Sequence, residues 1–206
     1  MNCKIDKIFS ILSQKNPKPK TELYFINNYT LLVAVVLSAQ STDVGVNKAT
    51  KLLFQTADTA QKMLDLGETK LKQYIKTIGL FNSKAKNIIS LSQKLISDFN
   101  SEVPRDMDDL QSLAGVGRKT ANVVLNCAFG LPTIGVDTHV FRVSNRLGMV
   151  REKNVLKTEL ALNKNIPEKW KKYAHHWLIL HGRYICTAKN PKCHSCEISH
   201  LCCRRY

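Results

Sequence analysis

The sequence predicts an almost entirely α-helical protein, and three observations carry that prediction. Apolar residues recur at three- and four-residue spacing through most of the 206-residue chain. Several of these stretches open on Thr or Asn, residues whose side chains cap helix N-termini. No alternating apolar strands joined by hairpin turns accompany them. Taken in order, Ile5, Ile8, Phe9 and Leu12 stand at helical spacing among lysines, so Met1 to Ser13 reads as an amphipathic helix rather than a signal-peptide core. Thr30 is expected to open a helix over Leu31 to Leu37, Thr42 one over Asp43 to Phe54, and Asn82 one over Lys84 to Phe99. Val33, Val35 and Val36 would suit a buried strand, but with no strand to pair with they read as buried helix. Further helices are expected over Glu68 to Thr77, Met107 to Ser112, Lys119 to Ala128, Thr138 to Leu147, Val155 to Asn165 and Trp170 to Thr187. The best breaks are Asn16-Pro17-Lys18-Pro19 and Gly130-Leu131-Pro132, and there are no repeats.

Composition narrows the partner. Lys and Arg number 31 against 16 Asp and Glu, a net charge of +15, which favours a polyanion, nucleic acid before a membrane surface. The longest apolar run, Leu31 to Leu37 and on to Ala39, falls short of the ~20 residues that cross a bilayer. Of seven cysteines, Cys3 and Cys127 stand alone while Cys186, Cys193, Cys196, Cys202 and Cys203 crowd the C-terminus. A disulfide framework would spread them more evenly. Without an export signal a reducing cytosol is expected, where clustered thiols serve metals.

Leu113 to Val124 reads as helix, glycine turn, helix. Gly115 and Gly117 permit positive φ and close backbone approach, and the amides opening the second helix form a phosphate site with its dipole. A P-loop is excluded, because Arg118 separates Gly117 from Lys119 and no strand precedes the turn. A helix-hairpin-helix, which grips backbone without reading bases, remains, with Gly115, Val116, Gly117 and Arg118 as its contacts. Lys119, in the first turn of that helix beside Arg118, sits where a cation is disfavoured, as an amine nucleophile requires, or else only neutralises a phosphate. Asp137 opens the next helix; it is a plain N-cap or a carboxylate that stabilises charge developing on a sugar. The ladder Cys186-x6-Cys193-x2-Cys196-x5-Cys202 supplies four thiolates for one zinc ion or one cubane cluster. A single CxxC with longer arms tilts it towards iron–sulfur, and Cys203 could replace Cys202. Lys189, Lys192, Arg204 and Arg205 around it suggest a loop that also touches phosphate.

Those segments together resemble the bacterial endonuclease III family. LAGVGRKTANVVLN, GVDTHVFR, HHWLILHGRY and the cysteine tail occur in the family's order, and LLVAVVLSAQSTDV, NKAT and YIKTIGLFNSKAKNI upstream are similar too. The resemblance implies an all-α, two-lobed helix-hairpin-helix DNA glycosylase fold with a C-terminal iron–sulfur loop. It implies a six-helix lobe over residues 20–131 and a second lobe of residues 1–19 plus 132–206 that carries a [4Fe-4S] cluster. It implies a monomeric bacterial enzyme, cytoplasmic and nucleoid-associated, that removes oxidised or ring-damaged pyrimidines from duplex DNA after flipping them out of the stack. Lys119 would be the nucleophile that forms a Schiff base and cuts by β-elimination, Asp137 would assist it, and Cys186, Cys193, Cys196 and Cys202 would bind the cluster. Gln40 and Leu80 would fill the gap and wedge the stack. One departure is Ala114, where the family reads Leu-Pro-Gly. Adenine-mismatch glycosylases of the same superfamily generally lack the hairpin lysine, and a non-catalytic DNA-binding protein would need neither Lys119 nor Asp137. His139, His175, His176 and His181, with Trp170 and Trp177, are expected to pack or hydrogen-bond rather than act.

Overall fold

The structure, a computed structural model, describes residues 2–203; Arg204 and Arg205, singled out above for phosphate contact, lie outside the described residues. These residues form ten α-helices and two short 3-10 helices, with no strand among them. The chain divides into two compact units, Glu22–Phe129 and Met1–Thr21 with Gly130–Tyr206.

The first unit holds six helices: α2 (Asn28–Ser38), α3 (Asp43–Thr56), α4 (Ala60–Ile75), α5 (Phe81–Phe99), α6 (Met107–Gln111) and α7 (Arg118–Phe129). The valine-rich stretch is helical, as its lack of partner strands predicts. Residues Leu31, Leu32, Val33, Ala34, Val35, Val36 and Leu37 are all at most 3% exposed, so α2 is apolar on every side because neighbours cover every side. It packs against α3, α5 and α7, and α4 lies along α5.

Several helix starts differ from expectation. The cap of α2 is Asn27, not Thr30; Asn27 accepts from the Thr30 amide, and Thr30 Oγ1 accepts from the Asn27 amide in return. Thr30 is thus the third residue of a capping box. Helix α5 starts at Phe81 on Leu80, which takes a left-handed φ of 60° and offers no side-chain cap. Thr42 caps α3 as expected, accepting from the Gly45 amide. Helix α4 begins earlier than Glu68: Thr59 caps it, and Gly67, at φ 77° and ψ 160°, breaks it in the middle.

The second unit contains α1 (Asn2–Lys15), α8 (Thr138–Arg146), α9 (Val155–Asn165) and α10 (Glu168–Tyr184), followed by 3-10 turns at Cys193–Ser195 and Ser199–Leu201. Ile5, Ile8 and Phe9 of α1 are fully buried, and Phe9 meets Trp170 and Trp177 at ring-centroid distances of 6.3 and 5.6 Å. Both tryptophans are therefore packing residues, with Trp170 Nε1 donating to Asp6 and Trp177 Nε1 to the Asn16 carbonyl. Helices α8 and α10 cross closely at Gly182, where a Cβ would lie 2.9 Å from His139 Cβ and 3.1 Å from Val143 Cγ2.

Candidate functional site: a glycine hairpin, two left-handed turns and a thiol-lined cavity

The glycine segment is a helix-turn-helix in the first unit. Asp106 caps α6 by accepting from the Asp108 and Asp109 amides, and the turn closes through the Val116 amide on the Leu113 carbonyl at 3.1 Å. The two glycines differ in what they do. Gly115 takes φ +78° and sits so close to α5 that a Cβ would meet Asn87 Nδ2 at 2.9 Å. Gly117 needs no left-handed backbone, and a Cβ there would meet nothing within 4 Å. Val116 is 5% exposed with its amide already bonded, so its part is packing, and the outward surface falls to Gly115, Gly117 and Arg118. The Gly117 carbonyl accepts the first α7 bond from Ala121, so α7 opens immediately after it, where helical amides lack intrahelical partners.

Lys119 is half-buried in the first turn of α7. Two turns on, burial pushes the Cys127 thiol up to about 12, and the nearby Lys119 charge acts in the opposite direction. Asp137 lies in the other unit, half-buried at the cap of α8, where its Oδ1 accepts from the Val140 amide at 2.8 Å. Capping uses one carboxylate oxygen, so the cap and the charge-stabilising role are compatible rather than rival.

Gln40 and Leu80 are both exposed and both left-handed, with φ of 54° and 60°. Their turns adjoin: a Cβ on Gly79 would lie 3.7 Å from the Gln40 carbonyl oxygen. Between them runs a feature the sequence did not single out. Lys84 on α5 is 5% exposed, and its Nζ donates to the Leu37 carbonyl and to Ser41 Oγ, each at 2.9 Å. Burial holds its pKa below the ordinary lysine range.

In the second unit, Cys186, Cys193, Cys196 and Cys202 line one cavity of about 350 Å³, counted to its open mouth, together with Leu147, His181 and Lys192. Tight turns bring them there: the Cys196 amide bonds to the Cys193 carbonyl and the Cys202 amide to the Ser199 carbonyl. Burial pushes the Cys196 thiol up; the Ile198 amide opposes this, and the charges of Cys202, Cys186 and Cys193 add to it. Four mutually repelling thiolates around one cavity call for a multiply charged cation. Among the described residues no three His, Cys, Asp or Glu side chains stand close enough to hold one metal ion. Four cysteines lining one cavity supply one thiolate for each iron of a cubane, so the donor set fits a cluster. Cys203 is exposed beside this cavity but does not line it, and its Sγ accepts from Lys4 Nζ at 3.1 Å.

Two arginines of α8 missed by sequence reasoning hold this loop. Arg142 donates to the Cys186 and Gly182 carbonyls, and Arg146 to the Thr187 and Ala188 carbonyls. Their four-residue spacing, one face of a helix, was the available signal. Lys189 and Lys192 are exposed at the same loop. His175, His176 and His181 are buried, and burial brings the latter two imidazoles down to about 4, which keeps them neutral.

Comparison with known proteins agrees across the chain. Residues 33–168 match the HhH-GPD superfamily of base excision DNA repair proteins, and residues 186–202 match the iron–sulfur binding domain of endonuclease III. Endonuclease III of Rickettsia felis is 61% identical over 198 residues, covering 96% of this chain and 93% of that protein. Endonuclease III of Escherichia coli K12 is 56% identical over 196 residues, covering 95% and 93%. A solved trapped endonuclease III–DNA covalent intermediate superposes with a TM-score of 0.92 at 46% identity, covering 99% of this chain and 96% of the other. A thermostable thymine-DNA glycosylase superposes with a TM-score of 0.86 at 25% identity, covering 98% and 97%. With the hairpin, the all-helical fold and the thiol-lined cavity agreeing with both family models, the chain belongs to the endonuclease III family of helix-hairpin-helix base excision DNA repair proteins.

Proposed function

We propose that this chain works as a monomer in the bacterial cytoplasm, on nucleoid DNA, where it removes oxidised or ring-damaged pyrimidines through Lys119 and Asp137. Its activity is that of its family: a DNA N-glycosylase with abasic-site lyase activity, acting in base excision repair on duplex DNA with a [4Fe-4S] cluster as cofactor. The observation that carries the residue assignment is Lys119 half-buried in the first turn of α7, a helix that opens right after the exposed Gly117, where a phosphate held at the helix start brings a sugar within reach of its amine.

In this reading neutral Lys119 Nζ attacks C1′ of the flipped nucleotide while the bond from C1′ to the base breaks, and the base leaves with the bonding electron pair and takes up a proton. The Asp137 carboxylate stabilises the positive charge that develops on the sugar. Ring opening gives a protonated Schiff base between Lys119 and C1′. Loss of a proton from C2′ then expels the 3′-phosphate, which cuts the strand. Gly115, Gly117 and Arg118 grip the backbone, Gln40 and Leu80 occupy the space the nucleotide leaves, and Lys189 and Lys192 add phosphate contacts. Cys186, Cys193, Cys196 and Cys202 hold the cluster, which when bound supplies four iron–thiolate bonds that fix the loop. Residues 20–131 form the hairpin lobe, and residues 1–19 with 132–206 the cluster lobe.

Borohydride trapping on duplex DNA containing thymine glycol tests the assignment. Wild-type protein should give a stable adduct and Lys119→Gln none, although it still binds, because the amide keeps the hairpin amides in place but cannot form an imine. Asp137→Asn should release base slowly yet still be trapped on a preformed abasic site. An adduct from Lys119→Gln at the wild-type rate would overturn the mechanism.

A further inference from the structure

A buried ammonium is costly unless hydrogen bonds replace its water, so Lys84 needs a reason to be where it is. Its two acceptors are specific. Leu37 is in the last turn of α2, where carbonyls lack helical partners and the dipole favours a cation. Ser41 lies beyond the end of that helix, next to Gln40. Lys84 therefore brackets Gln40 from both sides. It is also tied to Leu80, since its amide donates to the Leu80 carbonyl at 3.0 Å as the first α5 bond. Left-handed backbone at a residue with a Cβ persists only where its surroundings over-determine it. Gln40 and Leu80 are exposed, so their own side chains supply no such constraint.

We propose that Lys84 is the positioning residue that locks the Gln40 and Leu80 turns into one preformed wedge for the DNA stack. The inference rests on the reading above, in which Gln40 and Leu80 enter the duplex. Lys84 touches no DNA; it acts by denying the two turns any other arrangement. A merely structural lysine would change stability alone, whereas a positioning one changes how damaged DNA is distorted.

The test uses the cluster-loaded full chain and a duplex with 2-aminopurine beside a tetrahydrofuran abasic analogue, whose fluorescence rises when the neighbouring base unstacks. Lys84→Met keeps length and packing but loses the donors, Ser41→Ala removes one acceptor near the surface, and Lys84→Arg restores a cation. Lys84→Met should lose most of the fluorescence rise at saturating protein. Its preference for abasic over undamaged duplex should fall roughly tenfold, the scale of one charge-assisted hydrogen bond, with undamaged-DNA affinity retained. Ser41→Ala should lie between Lys84→Met and wild type, and Lys84→Arg should recover part of the signal. Wild-type fluorescence and preference in Lys84→Met overturn the proposal. If Lys84→Met does not fold, wild-type values in Ser41→Ala overturn it alone. Gln40→Ala and Leu80→Ala separate the two layers. If they abolish the rise while Lys84→Met keeps it, only the lock fails; if they keep it, the wedge reading fails and the lock with it.

Discussion

Gly115 and Gly117 stand two residues apart in one turn, yet the structure gives them opposite jobs, and alanine at each should expose the difference. Gly115→Ala meets two penalties. A left-handed φ of +78° costs a residue with a Cβ roughly 1–2 kcal/mol. The new Cβ, 2.9 Å from Asn87 Nδ2 and 3.1 Å from Asn87 Cβ, must also push α5 or its side chain aside, on the order of 1 kcal/mol more. Against these stands an unfolded-state gain of about 0.4–1 kcal/mol from removing a glycine. The net loss is about 2 kcal/mol, or about 4–8 °C in melting temperature at ~2–4 °C per kcal/mol for a chain this long. Gly117→Ala has no left-handed backbone to strain and nothing within 4 Å to meet. The same unfolded-state gain offsets the weaker capping of alanine, and stability should move by less than ~0.5 kcal/mol. Its methyl group projects instead from the exposed surface where a phosphate would approach the amides, so DNA affinity should fall on the order of tenfold, about one charge-assisted hydrogen bond. Thermal melts followed by circular dichroism, with fluorescence anisotropy on undamaged duplex, measure both variants. If Gly117→Ala melts as low as Gly115→Ala and binds DNA like wild type, Gly117 is a folding glycine and the phosphate-gripping surface is misassigned.

Other expectations follow from the cysteines, the charge and the buried histidines. Changing Cys186, Cys193, Cys196 or Cys202 to Ser should lower iron content and soluble yield together, since cluster binding is also folding energy, while Cys203→Ser should keep full iron; full iron in Cys202→Ser would identify the wrong fourth ligand. DNA affinity should fall steeply with salt on damaged and undamaged duplex alike, and a flat salt response in anisotropy titrations counts against phosphate as the main contact. His176 is buried with a pKa near 4 against 6.5 when exposed, so below that value the unfolded chain takes up a proton that the folded chain refuses. Its stabilising contribution is full above ~6.5 and is lost as pH falls towards ~4, by at most about 3 kcal/mol at ~1.36 kcal/mol per unit. Urea midpoints at about pH 7.5 and about pH 4.5 should therefore converge in His176→Gln relative to wild type, and an unchanged difference removes His176 as a cause of acid sensitivity.

The helices were legible wherever capping and periodicity agreed. Helix α9 runs Val155–Asn165 as expected because Asn154 caps it outright, accepting from the Lys157 amide. Helix α2 was placed three residues late because Asn27 and Thr30 are both capping types, and a capping box uses both. The first half of α4 went unread because Gly67 interrupts the periodicity and hides a short helical stretch before it. At the site, the thiol ladder was legible because Cys186, Cys193, Cys196 and Cys202 crowd into one short stretch at metal-ligand spacing. Lys84 was not legible. In the run Ser83-Lys84-Ala85-Lys86-Asn87 it is indistinguishable from a surface lysine, and only the fold reveals that Lys84 turns inward while Lys86 stays exposed.

The left-handed residues bring the two kinds of legibility together. Among the described residues, five non-glycine positions have positive φ: Gln40, Leu80, Asn100, Ser101 and Asn190. Asn tolerates this conformation because its short amide bonds to nearby backbone, and Asn100 ends α5 as a left-handed cap, so three of the five lie where local chemistry or a helix end accounts for them. Gln40 and Leu80 also stand at helix ends, Gln40 just past the C-cap of α2 and Leu80 as the N-cap of α5, but neither is a residue type whose side chain favours the left-handed turn. A leucine that is 60% exposed is covering no core, and glycine would fit the turn with less strain. Backbone strain at an exposed side chain marks that side chain for a test of contact outside the protein. The same two residues are those in which the sequence resembles the gap-filling and wedging positions of its family. The backbone supplies a physical reason, independent of that resemblance, to test them first among the DNA contacts.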